Sequence, residues 1–146
     1  MTSCQINPHI LRYMEMVERE EVLTCKEQKE LIRHVRRCFE TEDIYTDEKQ
    51  LEQYIALAGF FAFDKFFEWE QFCLALHLCT YWRETGQPRW PDLFLFLGRG
   101  GGKDGYIGVE GFCLISPYNH IQAYDVDICA TAEEVAMRPV NDVIDM

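Results

Sequence analysis

Between Leu93 and Gly108 the chain reads LFLFLGRGGGKDGYIG, and no other stretch restricts its fold as strongly. Five consecutive apolar residues bounded by proline and glycine predict a short strand buried on both faces. Four glycines within the five residues Gly98 to Gly102 then free the backbone for positive φ. DGYIGVEGFCLIS, from Asp104 to Ser116, follows as a helix despite its glycines. A strand that feeds a glycine turn opening a helix gathers several N–H donors in one concavity. With the positive end of the helix dipole, those donors hold phosphate oxygens. Gly98, Gly100, Gly101 and Gly102 supply the turn, and Lys103 the charge that reaches the β and γ phosphates of a nucleotide. The match to GxxxxGK[ST] departs at two positions. Leu97 stands where the first glycine belongs, and Asp104 replaces the hydroxyl residue that helps hold Mg²⁺.

Upstream of this stretch the periodicity is helical. NPHILRYMEMVEREEVL begins with a cap-like Asn7 and a first-turn proline. TCKEQKELIRHVRRCFE pairs Thr24 with Glu27 in a capping-box pattern, and Leu31, Ile32, Val35, Cys38 and Phe39 form its apolar stripe. TDEKQLEQYIALAGFFAF opens on Thr46, with Leu51, Tyr54, Ile55 and Ala58 on one face. WEQFCLALHLCTYWRETG is expected as a fourth helix ending at Gly86. GQPRWPD, with two prolines and a glycine, reads as a linker. After the glycine loop, AYDVDICA alternates as a second strand. TAEEVAMRPVNDVIDM is expected as a helix capped by Thr131 and broken at Pro139. The predicted fold class is therefore α/β. A helical subdomain over residues 1–90 precedes residues 91–146, a β–loop–α–β–α unit that forms the first part of a parallel sheet.

Composition narrows the function. A formal charge of −11 opposes a broad, sequence-independent DNA-binding surface, which needs clustered Lys and Arg. The polar start MTSCQINPH has no signal-peptide pattern, and the apolar runs are too short to span a bilayer. Seven cysteines without a CxxC pair read as reduced, buried residues of a cytoplasmic protein, not as a zinc site. His9, His34, His77 and His120 show no ligand spacing. Lys29, Arg33 and Arg36 or Arg37 share a helical face that reads as solvated and balanced by nearby glutamates. Glu133 and Glu134 fit helix-start roles. The aromatic set Phe60, Phe61, Phe63, Phe66, Phe67, Trp69 and Phe72 reads mainly as core.

LGRGGGKDG, with Arg99 four residues before Lys103, resembles the RxxGK form of the Walker A loop in large terminase subunits of tailed bacteriophages. FFEWEQF resembles the aromatic-glutamine segment preceding that loop, and YDVDICATAEEVAM resembles the family's second strand and helix. HLCTYWRETGQPRWPDLF resembles the Gram-positive phage and prophage members. The resemblance implies a P-loop ATPase that drives double-stranded viral DNA into the capsid inside a bacterial host. It also implies a nuclease domain, with the small terminase subunit and the portal protein as partners. Carried over, Gly98 to Gly102 and Lys103 would hold ATP, and Arg99 would act on the γ phosphate. Gln71 would bond the adenine edge, with Trp69 or Phe72 beside the ring. Asp104 would take the place of the Mg²⁺-holding hydroxyl, since a carboxylate also suits that hard ion.

Hydrolysis in this class needs an acidic pair ending an apolar strand, one residue for Mg²⁺ and one for the water. The chain has no apolar run ending in Asp-Glu. Asp125 and Asp127 come too early, and Asp142 and Asp145 belong to the last helix. The nuclease carboxylates are absent as well. The expectation is a fragment or truncated product that binds ATP without turning it over. The alternative is a non-hydrolysing interaction module that binds portal, small subunit or intact motor. A phosphate-binding protein of another kind, such as a kinase, is a third reading. A sheet of only two strands leaves an edge exposed, which predicts marginal stability.

Overall fold

The computed structural model describes residues 5–62 and 65–146. Phe63, named above, and Cys4, one of the seven cysteines, lie outside the described residues. Among these, the chain is a mixed α and β structure with six helices and one two-stranded antiparallel sheet. The helices are α1 (Pro8–Glu18), α2 (Lys26–Thr41), α3 (Glu48–Leu57), α4 (Glu68–Cys79), α5 (Lys103–Ile115) and α6 (Glu133–Ile144). The strands are β1 (Ile44–Thr46) and β2 (Thr80–Trp82). The chain divides into two compact units, residues 1–51 with 67–93, and residues 52–66 with 94–146. Residues 52–66 thus join the second unit although they precede the glycine loop by some thirty positions.

In the first unit α1 packs on α4 and on α2. Asn7 accepts the His9 N–H at 2.9 Å, which caps α1 as its sequence predicts. Ile10, Met14 and Val17 of α1 are buried, as are Ile32, Val35, Cys38 and Phe39 of α2 and Phe72, Leu74 and Ala75 of α4. Leu31, expected in the α2 stripe, is 47% exposed instead. The stripe is the narrower i, i+3, i+6, i+7 set that a helix touching its neighbours along one line requires. The α2 cap also falls one residue later than expected. Cys25 precedes the helix, and its N–H donates to Gln28 Oε1 at 2.8 Å, so Thr24 and Glu27 do not form the box.

Two further expectations are corrected here. The fourth helix ends at Cys79, because Thr80, Tyr81 and Trp82 leave the helix to pair with Thr46, Tyr45 and Ile44. These are β-branched and aromatic residues on both sides, which fit a pleated ladder better than a helix. Thr46 and Thr80 face each other across it, with their hydroxyls 3.1 Å apart. With Thr46 in the strand, Asp47 caps α3 instead, accepting the Gln50 N–H at 2.9 Å. GQPRWPD, expected as a linker, folds back on β2. The Trp82 N–H donates to the Gln87 carbonyl at 2.9 Å, and the Arg89 N–H to the Thr80 carbonyl at 2.9 Å. The Arg89 guanidinium makes that return specific. It forks onto Glu42 at 2.5 and 3.0 Å, 5.1 Å from the Trp82 ring centre and 4.9 Å from that of Trp90. Both the bidentate pair and the cation–π contacts suit arginine rather than lysine.

Glu70 is 5% exposed, and its carboxylate accepts the Phe67 N–H at 2.7 Å at the start of α4. Burial pushes its pKa above the ordinary 4.5, and the Phe67 amide offsets part of that shift. A raised folded-state value means the group favours folding fully only below the unfolded pKa. That contribution is lost as pH rises through the folded value. Glu70→Gln keeps the acceptor and removes the buried charge. It is therefore expected to raise the melting temperature near pH 7 and leave it unchanged near pH 4. Thermal melts across that range check this, and a lower melting temperature near pH 7 would show that the charge itself holds the turn.

In the second unit α5 packs against α6. The approach is close at Gly108, where an added Cβ would lie 3.3 Å from the Pro139 carbonyl oxygen. Tyr106, Val109 and Cys113 are buried, with the Phe66 ring 6.1 Å from Tyr106 and Phe61 6.1 Å from Phe112. The expected break at Pro139 does not occur. That residue is buried inside α6, which starts at Glu133 after Ala132 rather than at a Thr131 cap. Glu133 and Glu134 fill its first turn.

The two strands expected in this half are not formed. Leu93–Leu97 and Ala123–Ala130 make no ladder among the described residues, so the parallel sheet is not part of the observed architecture. Phe94 and Phe96, expected to be buried on both faces, are each 89% exposed. An apolar run acquires strand geometry only when a neighbour takes its N–H and C=O groups, and no neighbour does so here.

Candidate phosphate-binding loop

The glycine cluster forms a tight turn whose conformation follows from its residues. The Gly101 N–H donates to the Gly98 carbonyl at 3.1 Å, and Gly100 between them has φ +79°. A Cβ at Gly101 would sit 3.0 Å from that same carbonyl oxygen, so only glycine closes the turn unstrained. Gly102 has φ +81° and is the residue from which α5 departs. Its carbonyl accepts the Tyr106 N–H at 3.1 Å. Having no side chain, Gly102 cannot cap, and the first-turn amides of Lys103, Asp104 and Gly105 have no acceptor within the helix. An added Cβ at Gly98 or Gly100 would meet nothing within 4 Å, so the approach to the backbone is open there.

These differences give a stability prediction. Gly102→Ala puts an L side chain at positive φ and is expected to cost about 1–2 kcal/mol. Gly98→Ala has space and ordinary φ and is expected to melt with the parent protein. Paired thermal melts distinguish the two, and equal melting of both variants would contradict the loop geometry.

Charge at the loop is concentrated on four side chains, Arg99, Lys103, Asp104 and Arg138. Lys103 Nζ lies 3.4 Å from Asp104 Oδ1, and Arg138 Nη1 of α6 lies 3.9 Å from Asp104 Oδ2. Both pairs are substantially exposed, so each holds the fold by no more than about 1 kcal/mol. Lys103 is therefore easily drawn from Asp104 by a more highly charged anion. Arg99 is exposed on the turn itself. Arg138 was not anticipated. In the sequence it is one cation on a predicted helix 35 residues after the lysine, and only the packing of α6 on α5 brings it to Asp104.

Of the expected site residues, Gly98, Arg99, Gly100, Gly101, Gly102, Lys103 and Asp104 share this one turn and helix start. Trp69, Gln71 and Phe72 lie on α4 in the first unit. Phe72 is 2% exposed, with its ring 5.0 Å from that of Tyr13, and belongs to the α1–α4 core. Gln71 Oε1 is 2.6 Å from His9 Nδ1, which donates to it. Trp69 is half-buried.

Among the described residues no three His, Cys, Asp or Glu side chains are grouped to hold a metal ion. Asp104 alone offers a carboxylate at the loop. That donor set fits Mg²⁺ carried in on phosphate oxygens and keeping several waters, which is how this ion commonly binds, rather than a cage built by the protein.

The other candidates resolve into structure. Lys29 pairs with Glu20 at 2.8 Å and Arg36 with Glu18 at 2.7 Å, so these two cations of the α2 face are balanced by glutamates. His34 Nε2 lies 3.4 Å from Cys38 Sγ, and His77 Nδ1 bonds the Trp90 carbonyl at 2.9 Å. Cys38, Cys79 and Cys113 are buried thiols, whereas Cys25 and Cys129 are exposed, contrary to the expectation for all seven. Among the described residues no helix is long and apolar enough to cross a membrane. No protein family, curated protein or solved structure matches the chain.

Proposed function

We propose that the Gly98–Lys103 loop holds the phosphate tail of ATP with its Mg²⁺, and that the chain is the ATP-binding part of a phage terminase large subunit. The observation that carries this reading is the pair of positive-φ glycines opening straight into a helix whose first residue is Lys103. Such a turn exposes backbone donors at the positive end of a 13-residue helix. Lys103 and Arg99 supply charge for the β and γ phosphates. Asp104 sits where the metal must screen its carboxylate from the phosphates, so binding is expected to require Mg²⁺. In the wider reading the motor packages double-stranded viral DNA in the bacterial cytoplasm, with the small terminase subunit and portal as partners.

The absence of an Asp-Glu pair after any apolar run favours binding without turnover. The second reading follows from it: a non-hydrolysing module that engages terminase or portal through its fold. Titration calorimetry with ATP, GTP and small phosphorylated compounds, in Mg²⁺ and in EDTA, tests both. Saturable Mg²⁺-dependent ATP binding with no phosphate release is expected. Failure of every compound in the panel would remove the nucleotide reading, and equal ATP affinity in EDTA would remove the role given to Asp104.

A further inference from the structure

The second unit contains an apolar cleft of about 280 Å³ between α5, α6 and residues 124–128. Its walls include Ile107, Phe112, Ile115, Val126 and Val140, with Asp125 among them. Ile107, Gly111 and Ile115 follow one another at i, i+4 and i+8 along α5, and Val126 packs over Gly111, its Cγ1 3.6 Å from where a Cβ there would lie. Ile107 is 40% and Ile115 53% exposed, so the cleft is open rather than a sealed cavity. Its volume falls just short of the roughly 300–1,000 Å³ of small-molecule sites. A helix-walled apolar groove of this size suits side chains presented by another helix.

Charge identifies the kind of helix. Residues 94–146 carry eight carboxylates and three cations. Two of those cations are on the glycine loop, and the third, Arg138, lies 3.9 Å from Asp104. The charged side chain in the cleft lining is a carboxylate. Asp125 lines it, and Asp142 has its Cβ 3.8 Å from the position a Cβ on Gly108 would take. We infer that this cleft docks a basic amphipathic helix of a partner protein. The helix seats apolar residues spaced i, i+3 and i+4 between α5 and α6 and directs Lys or Arg to Asp125 and Asp142. The inference is independent of nucleotide binding at the loop.

Fluorescence anisotropy on the full chain tests it with three labelled probes of 14 residues. One is a Leu/Lys amphipathic helix, the second replaces every Lys by Glu, and the third replaces every Leu by Ser. The Leu/Lys probe is expected to bind at least about tenfold more tightly than either control, and to weaken as salt is raised. Ile107→Glu is expected to abolish that binding at an unchanged melting temperature. Asp125→Lys is expected to weaken the Leu/Lys probe and admit the Leu/Glu probe, a reversal that mere unfolding cannot produce. Equal binding of the Leu/Lys and Ser/Lys probes would overturn the inference, because charge alone would then be acting. So would an affinity indifferent to both substitutions. A dimer that Ile107→Glu dissociates would make a second copy of this chain the occupant, and would equally overturn it.

Discussion

Phe72→Ala should unfold or severely loosen the first unit. The ring is almost wholly buried and meets Tyr13 at 5.0 Å, at the contact between α4 and α1. Truncating a buried phenylalanine costs about 3–5 kcal/mol, from lost transfer energy and the cavity left behind. Total stabilities are only about 5–15 kcal/mol, so most of the reserve of a unit of this size is removed. The melting temperature should fall by more than about 10 °C. Far-UV circular dichroism with a thermal ramp reads this out. The same variant decides between two roles for the ring. A base-stacking residue would weaken ATP binding and leave the melt intact. A core residue moves the melt first and affects binding only through loss of the fold.

Lys103→Ala should do the reverse. Its ion pair with Asp104 is exposed, and a cation in the first turn of a helix opposes the dipole, so the melting temperature should stay within about 1 °C or rise slightly. Phosphate binding should collapse. Hydrogen bonds from a charged donor contribute about 1.5–3 kcal/mol each, so losing the ammonium should weaken MgATP at least about tenfold in Kd. Gly98→Val should produce a smaller loss by obstructing the backbone rather than removing charge. Calorimetric titration of the three proteins with MgATP provides the comparison. An unchanged Kd for Lys103→Ala, alongside measurable binding by the parent, would place the nucleotide elsewhere on the chain. Asp104→Asn completes the set, since removing the carboxylate should restore part of the affinity in EDTA.

The helices were legible because their signals are local. Asn7 before Pro8, the acidic first turn of α6 and the apolar spacing of Ile32, Val35, Cys38 and Phe39 in α2 each act within a few residues. Chain geometry delivers their effect whatever the rest of the molecule does. The turn at Gly98–Gly102 was legible for the same reason, since glycines that adopt positive φ announce a backbone conformation directly. The errors share one cause of the opposite kind. Thr80–Trp82 was assigned to a helix because its partner, Ile44–Thr46, lies 34 or more positions away. Leu93–Leu97 was assigned to a strand because an apolar run carries no information on whether a neighbour will pair with it. The reading of GQPRWPD as a linker missed Arg89 for the same reason, as Glu42 is 47 residues distant.

The amino-acid order alone therefore established that helices form, where each begins to within a residue or two, and where the backbone must bend through glycine. These depend on torsional preferences and on spacings of three or four residues. Pairing had to await the folded chain: which strand met which, that Phe72 went to Tyr13, and that Arg138 reached Asp104. Such contacts join residues far apart in sequence, and their free energy exists only once packing has brought the groups within a few ångströms.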